Sequence, residues 1–139
     1  MRTEGSIQEL TEKVWVVHAL YFVVGGIWAI VGRRSFEAIT GPKTDYWLVR
    51  TVGGLLAAVG AVIGMAGAGQ RLTADIRWLA IASSAVLTAV DLVYVARRRI
   101  SPVYLLDAIA NLVLIAGWLG FRERQQPGSH GNGTSDTVS

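Results

Sequence analysis

The chain has 139 residues, of which 52% are hydrophobic and 17% are charged, and its formal net charge is +3. It contains no cysteine, which excludes a disulfide framework, a thiolate nucleophile and a cysteine metal site. The small positive charge gives no reason to expect a nucleic-acid partner, because short basic clusters beside apolar segments are what membrane topology requires.

The apolar residues fall into four blocks and are not spread along the chain as in a soluble core. Each block is close to the ~20 residues with which a helix crosses about 30 Å of hydrocarbon. The blocks cover residues 14–31, 51–68, 78–96 and 103–121. A cleaved signal peptide is not expected, because glutamates precede the first block and an Arg-Arg pair follows it instead of a cleavage site.

These blocks predict an all-α fold, a four-transmembrane-helix antiparallel bundle over residues 14–121. Residues 1–13 are expected to form a polar N-terminal segment. Residues 122–139 are polar and rich in Gly and Ser, which predicts a disordered tail. Basic residues divide equally between the two sides of this bundle, so the orientation stays open, with a weak preference for both termini outside.

Aromatic residues stand near the ends of the blocks, where amphipathic rings are most stable at the level of the lipid headgroups. They are Trp15, Trp47, Trp78 and Trp118, together with Tyr46 and Tyr104. This distribution favours spanning helices over buried helices of a soluble protein.

The segment RRSFEAITGPKTD, residues 33–45, predicts a short interfacial helix between the first and second spans. Ser35 is the expected cap of its start, and Gly41 with Pro42 ends it. Thr44 or Asp45 is expected to cap the next helix, where the helix dipole favours a carboxylate.

Small residues repeat at helical spacing along the second span and form one smooth stripe, which lets another helix approach closely. They are Gly53, Ala57, Gly60, Gly64 and Gly67, with Gly60 and Gly64 in a GxxxG pattern. Packing within the bundle is the favoured interpretation, and a homodimer interface is the alternative.

Polar residues form stripes on the first, third and fourth spans, which predicts a shared polar interior. The stripes are His18, Tyr21, Gly25 and Trp28; Ser84, Thr88, Asp91 and Val95; and Tyr104, Asp107, Asn111, Leu114 and Trp118. His18 has no evident partner, and we interpret it as a packed, hydrogen-bonded residue, not a metal ligand. Neither a metal nor a cofactor is expected.

Arg50, Asp91 and Asp107 each stand on the order of 5–8 Å inside a helix end, on the same side of the predicted bundle. We therefore expect Arg50 to neutralise both aspartates in one cluster, which opens toward the arginine-rich loop that follows residue 96. The candidate pocket residues are Arg50, Asp91, Tyr94, Tyr104, Asp107 and Asn111. Two alternatives stay open: Arg50 can snorkel to the interface, and the aspartates can be neutralised polar contacts between helices.

The Arg-led, Gly-rich segment RTVGGLLAAVGAVIGMAG and the segment ISPVYLLDA, within four predicted spans, resemble the small bacterial DoxX-like membrane proteins. The resemblance covers roughly residues 10–121 and rests on architecture and glycine placement. It implies a multi-pass protein of the bacterial inner membrane, and some members of that group look like accessory subunits of quinone-linked or thiol-oxidising complexes. Because this chain has no cysteine, a redox role would belong to a partner.

Three functions are compatible with these features. The first is an accessory bundle that holds a lipid or quinone in a polar intramembrane pocket, with the lipid bilayer and a membrane protein or second copy as partners. The second is a membrane enzyme that acts on a lipid or isoprenoid with Asp91 and Asp107 as acid and base. The third is a small proton-coupled transporter that works as a dimer. Because the sequence contains no known catalytic motif, we do not favour an enzyme.

Overall fold

The computed structural model describes residues 13–124, and the side chains of residues 13–120. This part of the chain is all-α, with no strand. Its five helices are α1 (Val14–Val31), α2 (Arg33–Thr40), α3 (Tyr46–Ala68), α4 (Ala74–Ala96) and α5 (Tyr104–Arg124). The predicted all-α class and the short helix between the first two apolar segments are therefore confirmed. The last helix continues past the predicted boundary at residue 121, whereas residues 1–12 and 125–139 of the two predicted polar segments lie outside the described residues.

Three of these helices, α1, α3 and α4, are long and apolar enough to cross a membrane. The apolar part of α5 is shorter and covers Tyr104–Gly120. Length and composition of the helices therefore support a membrane-spanning helical protein and identify three candidate spans.

The helix ends differ in detail from the sequence prediction. Ser35 does not cap α2, because the helix begins two residues earlier at Arg33, with Gly32 at the cap position. Its hydroxyl instead accepts a hydrogen bond from the Trp28 indole at 2.9 Å and donates to the Gly32 carbonyl at 3.0 Å. These contacts tie the short helix to the end of α1. Gly41 ends α2 as predicted, with φ of 90°, a conformation that favours glycine.

Asp45 occupies the cap position of α3, but its side chain makes no capping hydrogen bond. The cap of α4 went unnoticed in the sequence. It is Thr73, whose hydroxyl accepts a hydrogen bond from the Ile76 amide at 3.5 Å.

The small-residue stripe of α3 lies against α1. A Cβ atom added at Gly60 would lie 2.8 Å from Cβ of Phe22 and 2.9 Å from the Ala19 carbonyl oxygen. At one end of the stripe Gly53 packs on α1 beside Gly26, and at the other end Gly67 packs beneath the ring of Trp15. Because glycine has no side chain, the backbones of α1 and α3 can approach each other closely at these positions.

The described helices expose apolar side chains and bury polar ones. Large hydrophobic residues such as Leu20, Val62 and Val113 are exposed. The buried polar residues include His18, Ser84, Thr88, Asp91 and Asn111. A soluble protein rarely exposes so many large apolar side chains, so this surface is suited to lipid.

Two of the six predicted belt residues are instead buried. Trp47 and Trp78 are exposed at the starts of α3 and α4, as the belt requires. Tyr46 is buried and donates a hydrogen bond to the Ala29 carbonyl at 2.5 Å. Trp118 is completely buried, and its indole is hydrogen-bonded to His18 on α1.

Candidate functional site

Two carboxyl groups on neighbouring helices form the polar centre of the candidate site. Asp91 continues the buried face of α4 formed by Ser84 and Thr88, and 5% of its surface is exposed. Asp107 lies in the first turn of α5, the helix that packs most closely against α4. Both side chains line the same cavity, and we call them the acidic pair.

Neutral donors hold the Asp107 carboxylate in place. The Tyr21 hydroxyl on α1 donates to its Oδ1 atom. The Asn111 side chain, one turn further along α5, donates to Oδ2 at 3.1 Å and to the Asp107 carbonyl at 2.9 Å. In contrast, Oδ2 of Asp91 is buried without a hydrogen-bond partner among the described residues.

The prediction that Arg50 neutralises these aspartates is wrong. Within the described part of the chain Arg50 makes no ion pair with either carboxylate, and its side chain is exposed. Its guanidinium carbon lies 5.6 Å from the ring centroid of Tyr46, one turn away on the same helix. The depth of Arg50 along α3 did not predict its partner, because α3 packs mainly against α1. The two aspartates belong to α4 and α5, which pack against each other.

The acidic pair lies at the wall of a cavity of about 610 Å³ that all five helices line. Most of the lining is apolar or aromatic, and Asp91 and Asp107 provide its carboxyl groups. Among the described residues of this lining there is no Lys, Arg or His. The cavity therefore combines a predominantly apolar wall with one acidic spot.

The pocket predicted from the sequence coincides with this cavity in part. Asp91, Tyr104 and Asp107 line it, whereas Arg50, Tyr94 and Asn111 do not. Tyr94 is 45% exposed. Asn111 is fully buried and is connected to the cavity by its hydrogen bond to the Asp107 side chain.

Tyr21 is not among the pocket residues predicted from the sequence, although it lies on the polar stripe predicted for the first span. The signal was its position three residues after His18 on one helix face, together with a side chain long enough to reach the next helix. The aromatic wall around it includes Phe22, Trp28 and Phe36.

A second buried polar group joins three helices beside this site. The Trp118 indole donates to Nδ1 of His18 at 3.0 Å, which assigns the ring proton to Nε2. Nε2 then donates to the Ser84 hydroxyl at 3.5 Å. The sequence suggested no partner for His18, yet both partners stood on the predicted stripes. Within residues 13–120 no three His, Asp or Glu side chains come together as a metal site.

The chain matches no protein-family model, no curated protein and no solved structure. The resemblance to DoxX-like proteins therefore stays a prediction.

Proposed function

We propose that the chain crosses a membrane four times as an antiparallel helical bundle. Contacts between α1 and α3 pair Trp15 with Gly67, Phe22 with Gly60 and Gly26 with Gly53, as in antiparallel neighbours. The connections before α4 and before α5 are short, which favours the same arrangement for the other helices. α5 supports a fourth span because Asn111 and Trp118 are buried while Leu106 and Val113 are exposed.

We further propose that this bundle holds a lipid-soluble molecule in its cavity, as a binding or accessory protein of the bacterial inner membrane. The observation that carries the proposal is the acidic spot in the cavity wall, where the carboxyl groups of Asp91 and Asp107 interrupt a lining that is mostly apolar or aromatic. Carboxyl groups in an apolar setting are unfavourable unless a proton, a cation, water or a polar group of a ligand offsets them. The volume lies within the roughly 300–1,000 Å³ typical of sites for small organic ligands.

Holding a ligand accounts for the site better than catalysis does. The Tyr21 and Asn111 donors fix the Asp107 carboxylate in one orientation, which suits recognition of a bound group. The apolar lining beyond the carboxyl groups suits the hydrocarbon part of a lipid or quinone.

Native mass spectrometry of the protein released from its own membrane in mild detergent tests this proposal. Gly25 lines the cavity, and a Cβ atom there would meet nothing within 4 Å, so Gly25→Ile should narrow the cavity without a clash at Cβ. Gly54→Ile is the matched control, because Gly54 is equally open to a side chain but does not line the cavity.

We expect the native protein and Gly54→Ile to retain a bound lipid-soluble molecule that Gly25→Ile has lost. Equal retention by the two variants would show that the molecule is bound elsewhere and would overturn the proposal. A native protein that carries no bound molecule from any growth condition would overturn it as well.

A further inference from the structure

The acidic spot indicates which chemical class the cavity accepts. Resting on the ligand-holding function proposed above, we infer that the ligand is a lipophilic organic cation, such as a hydrophobic ammonium or phosphonium ion. Asp91 and Asp107 bind its charge, and the aromatic wall packs against its apolar groups.

The charge of the site is the first reason. Tyr21 and Asn111 stabilise Asp107 with neutral donors, and no cationic side chain of the described lining faces either aspartate. Carboxyl groups in an apolar setting need a proton or a cation to offset their charge. An organic cation in the cavity supplies that charge.

The aromatic wall is the second reason. The rings of Tyr21, Phe22, Trp28, Phe36 and Tyr104 border the same cavity. The face of an aromatic ring attracts a cation, by about 0.5–2 kcal/mol for each favourable contact, and the attraction grows when water is excluded. Carboxylates combined with aromatic rings therefore favour an alkyl or aryl cation over a neutral lipid.

Inorganic cations and anionic lipids fit the cavity less well. A metal ion requires several oxygen or nitrogen ligands, and no group of three His, Asp or Glu side chains occurs among residues 13–120. An anion would need basic residues in the lining, but Arg50 lies over the ring of Tyr46 and Lys43 over the ring of Tyr104. Neither of these cations lines the cavity.

Two probes of nearly equal shape and opposite charge test the inference. Tetraphenylphosphonium and tetraphenylborate differ mainly in the sign of their charge, so their difference in binding isolates the electrostatic term. Equilibrium binding of each radiolabelled ion to the full chain in neutral detergent, measured in separate samples so that the two ions cannot pair, gives both affinities.

Asp91→Asn removes one charge from the site and keeps the shape of the side chain. Asp75→Asn is the matched control, because Asp75 is an exposed carboxylate at the start of the same helix. Asp107→Asn provides a second test of the site if Asp91→Asn does not fold, and circular dichroism reports whether each variant is helical.

We expect saturable binding of tetraphenylphosphonium and no saturable binding of tetraphenylborate. Asp91→Asn or Asp107→Asn should weaken tetraphenylphosphonium binding by about tenfold or more, as for loss of a charge-assisted contact, while Asp75→Asn leaves it unchanged. Gly25→Ile should abolish it, and Gly54→Ile should not.

Equal affinity for the two ions, or binding that is insensitive to both aspartate substitutions, would overturn the cationic class. The ligand-holding function would still stand if a neutral quinone or lipid copurified with the native protein and was lost from Gly25→Ile. If Gly25→Ile retained every bound molecule, the ligand-holding function itself would fail, and the class inference would fail with it.

Discussion

The contact between α1 and α3 can be tested by adding one methyl group at either of two glycines of α3. In the middle of a helix, replacing Gly by Ala stabilises the helix by roughly 1 kcal/mol. Gly54→Ala should show this gain, because a Cβ atom there meets nothing within 4 Å. At Gly60 the same methyl group would lie 2.8 Å from Cβ of Phe22 and 2.9 Å from the Ala19 carbonyl oxygen.

Neither neighbour of Gly60 can move freely, because one is a backbone oxygen and the other a Cβ atom fixed to the α1 backbone. Overpacking of this kind costs about 1–3 kcal/mol, so Gly60→Ala should be destabilised even after the gain in helix propensity. We expect the free energies of unfolding of the two variants to differ by about 2 kcal/mol, roughly a 30-fold difference in the ratio of folded to unfolded protein.

Reversible unfolding in mixed micelles, followed by circular dichroism as the fraction of denaturing detergent rises, measures this difference. Both variants add one methyl group to the same helix, so effects on detergent binding and expression are matched. If Gly60→Ala proves as stable as Gly54→Ala, α1 and α3 do not approach closely at Gly60, and the packing described here is wrong.

The remaining predictions concern single side chains, and the same unfolding measurement checks each of them. Trp118→Phe should lower the free energy of unfolding by about 1–3 kcal/mol, because Nδ1 of buried His18 loses its donor. Trp78 is exposed, so Trp78→Phe should change the free energy of unfolding by less than about 0.5 kcal/mol. Equal effects would argue against the indole–imidazole hydrogen bond. Tyr21→Phe should lower the free energy of unfolding by about 1.5–3 kcal/mol, because the hydrogen bond to the Asp107 carboxyl group is lost. The Tyr94 ring is exposed, so Tyr94→Phe should leave the free energy of unfolding nearly unchanged. A larger effect of Tyr94→Phe than of Tyr21→Phe would contradict the site geometry. Arg50→Ala should lower the free energy of unfolding by less than about 1 kcal/mol, because the described contact of Arg50 is with the Tyr46 ring. A much larger loss would support the predicted ion pair between Arg50 and the aspartates.

Helical periodicity was sufficient to predict which faces of the helices are polar and buried. The spacing of Ser84, Thr88 and Asp91 places them on one face of a helix, and the structure buries all three. The small residues of the second span likewise share one face, and in the structure that face lies against α1. Both patterns arise within a single helix, so they can be read from one segment of sequence.

The choice of partner helix could not be predicted from these patterns. Arg50 and the two aspartates were assigned similar depths, but depth does not specify the direction in which a side chain leaves its helix. Arg50 is exposed beside Tyr46, and Tyr21 from α1 provides the contact to Asp107 that was predicted for Arg50. Tyr21 could be assigned to the site only after the helices were placed together.

The same limit applies to the aromatic residues near helix ends. Trp47 and Trp118 have equivalent positions in a sequence-based belt, yet Trp47 is exposed and Trp118 is completely buried. What separates them is a hydrogen-bond partner on another helix, His18, and the continuation of α5 beyond Trp118.

The central claim, that a lipid-soluble molecule occupies the cavity, is tested most directly by the reactivity of a single thiol placed inside it. The native chain has no cysteine, so Gly25→Cys and Gly54→Cys each introduce one thiol, inside and outside the cavity lining respectively. The measurement is the rate at which a small membrane-permeant maleimide modifies each thiol before the copurified lipids are removed, after removal, and after they are returned. We predict that Gly25→Cys reacts slowly, then rapidly, then slowly again, while the rate for Gly54→Cys stays nearly constant. If both thiols respond alike, or if Gly25→Cys reacts at one rate throughout, no copurified molecule occupies the cavity.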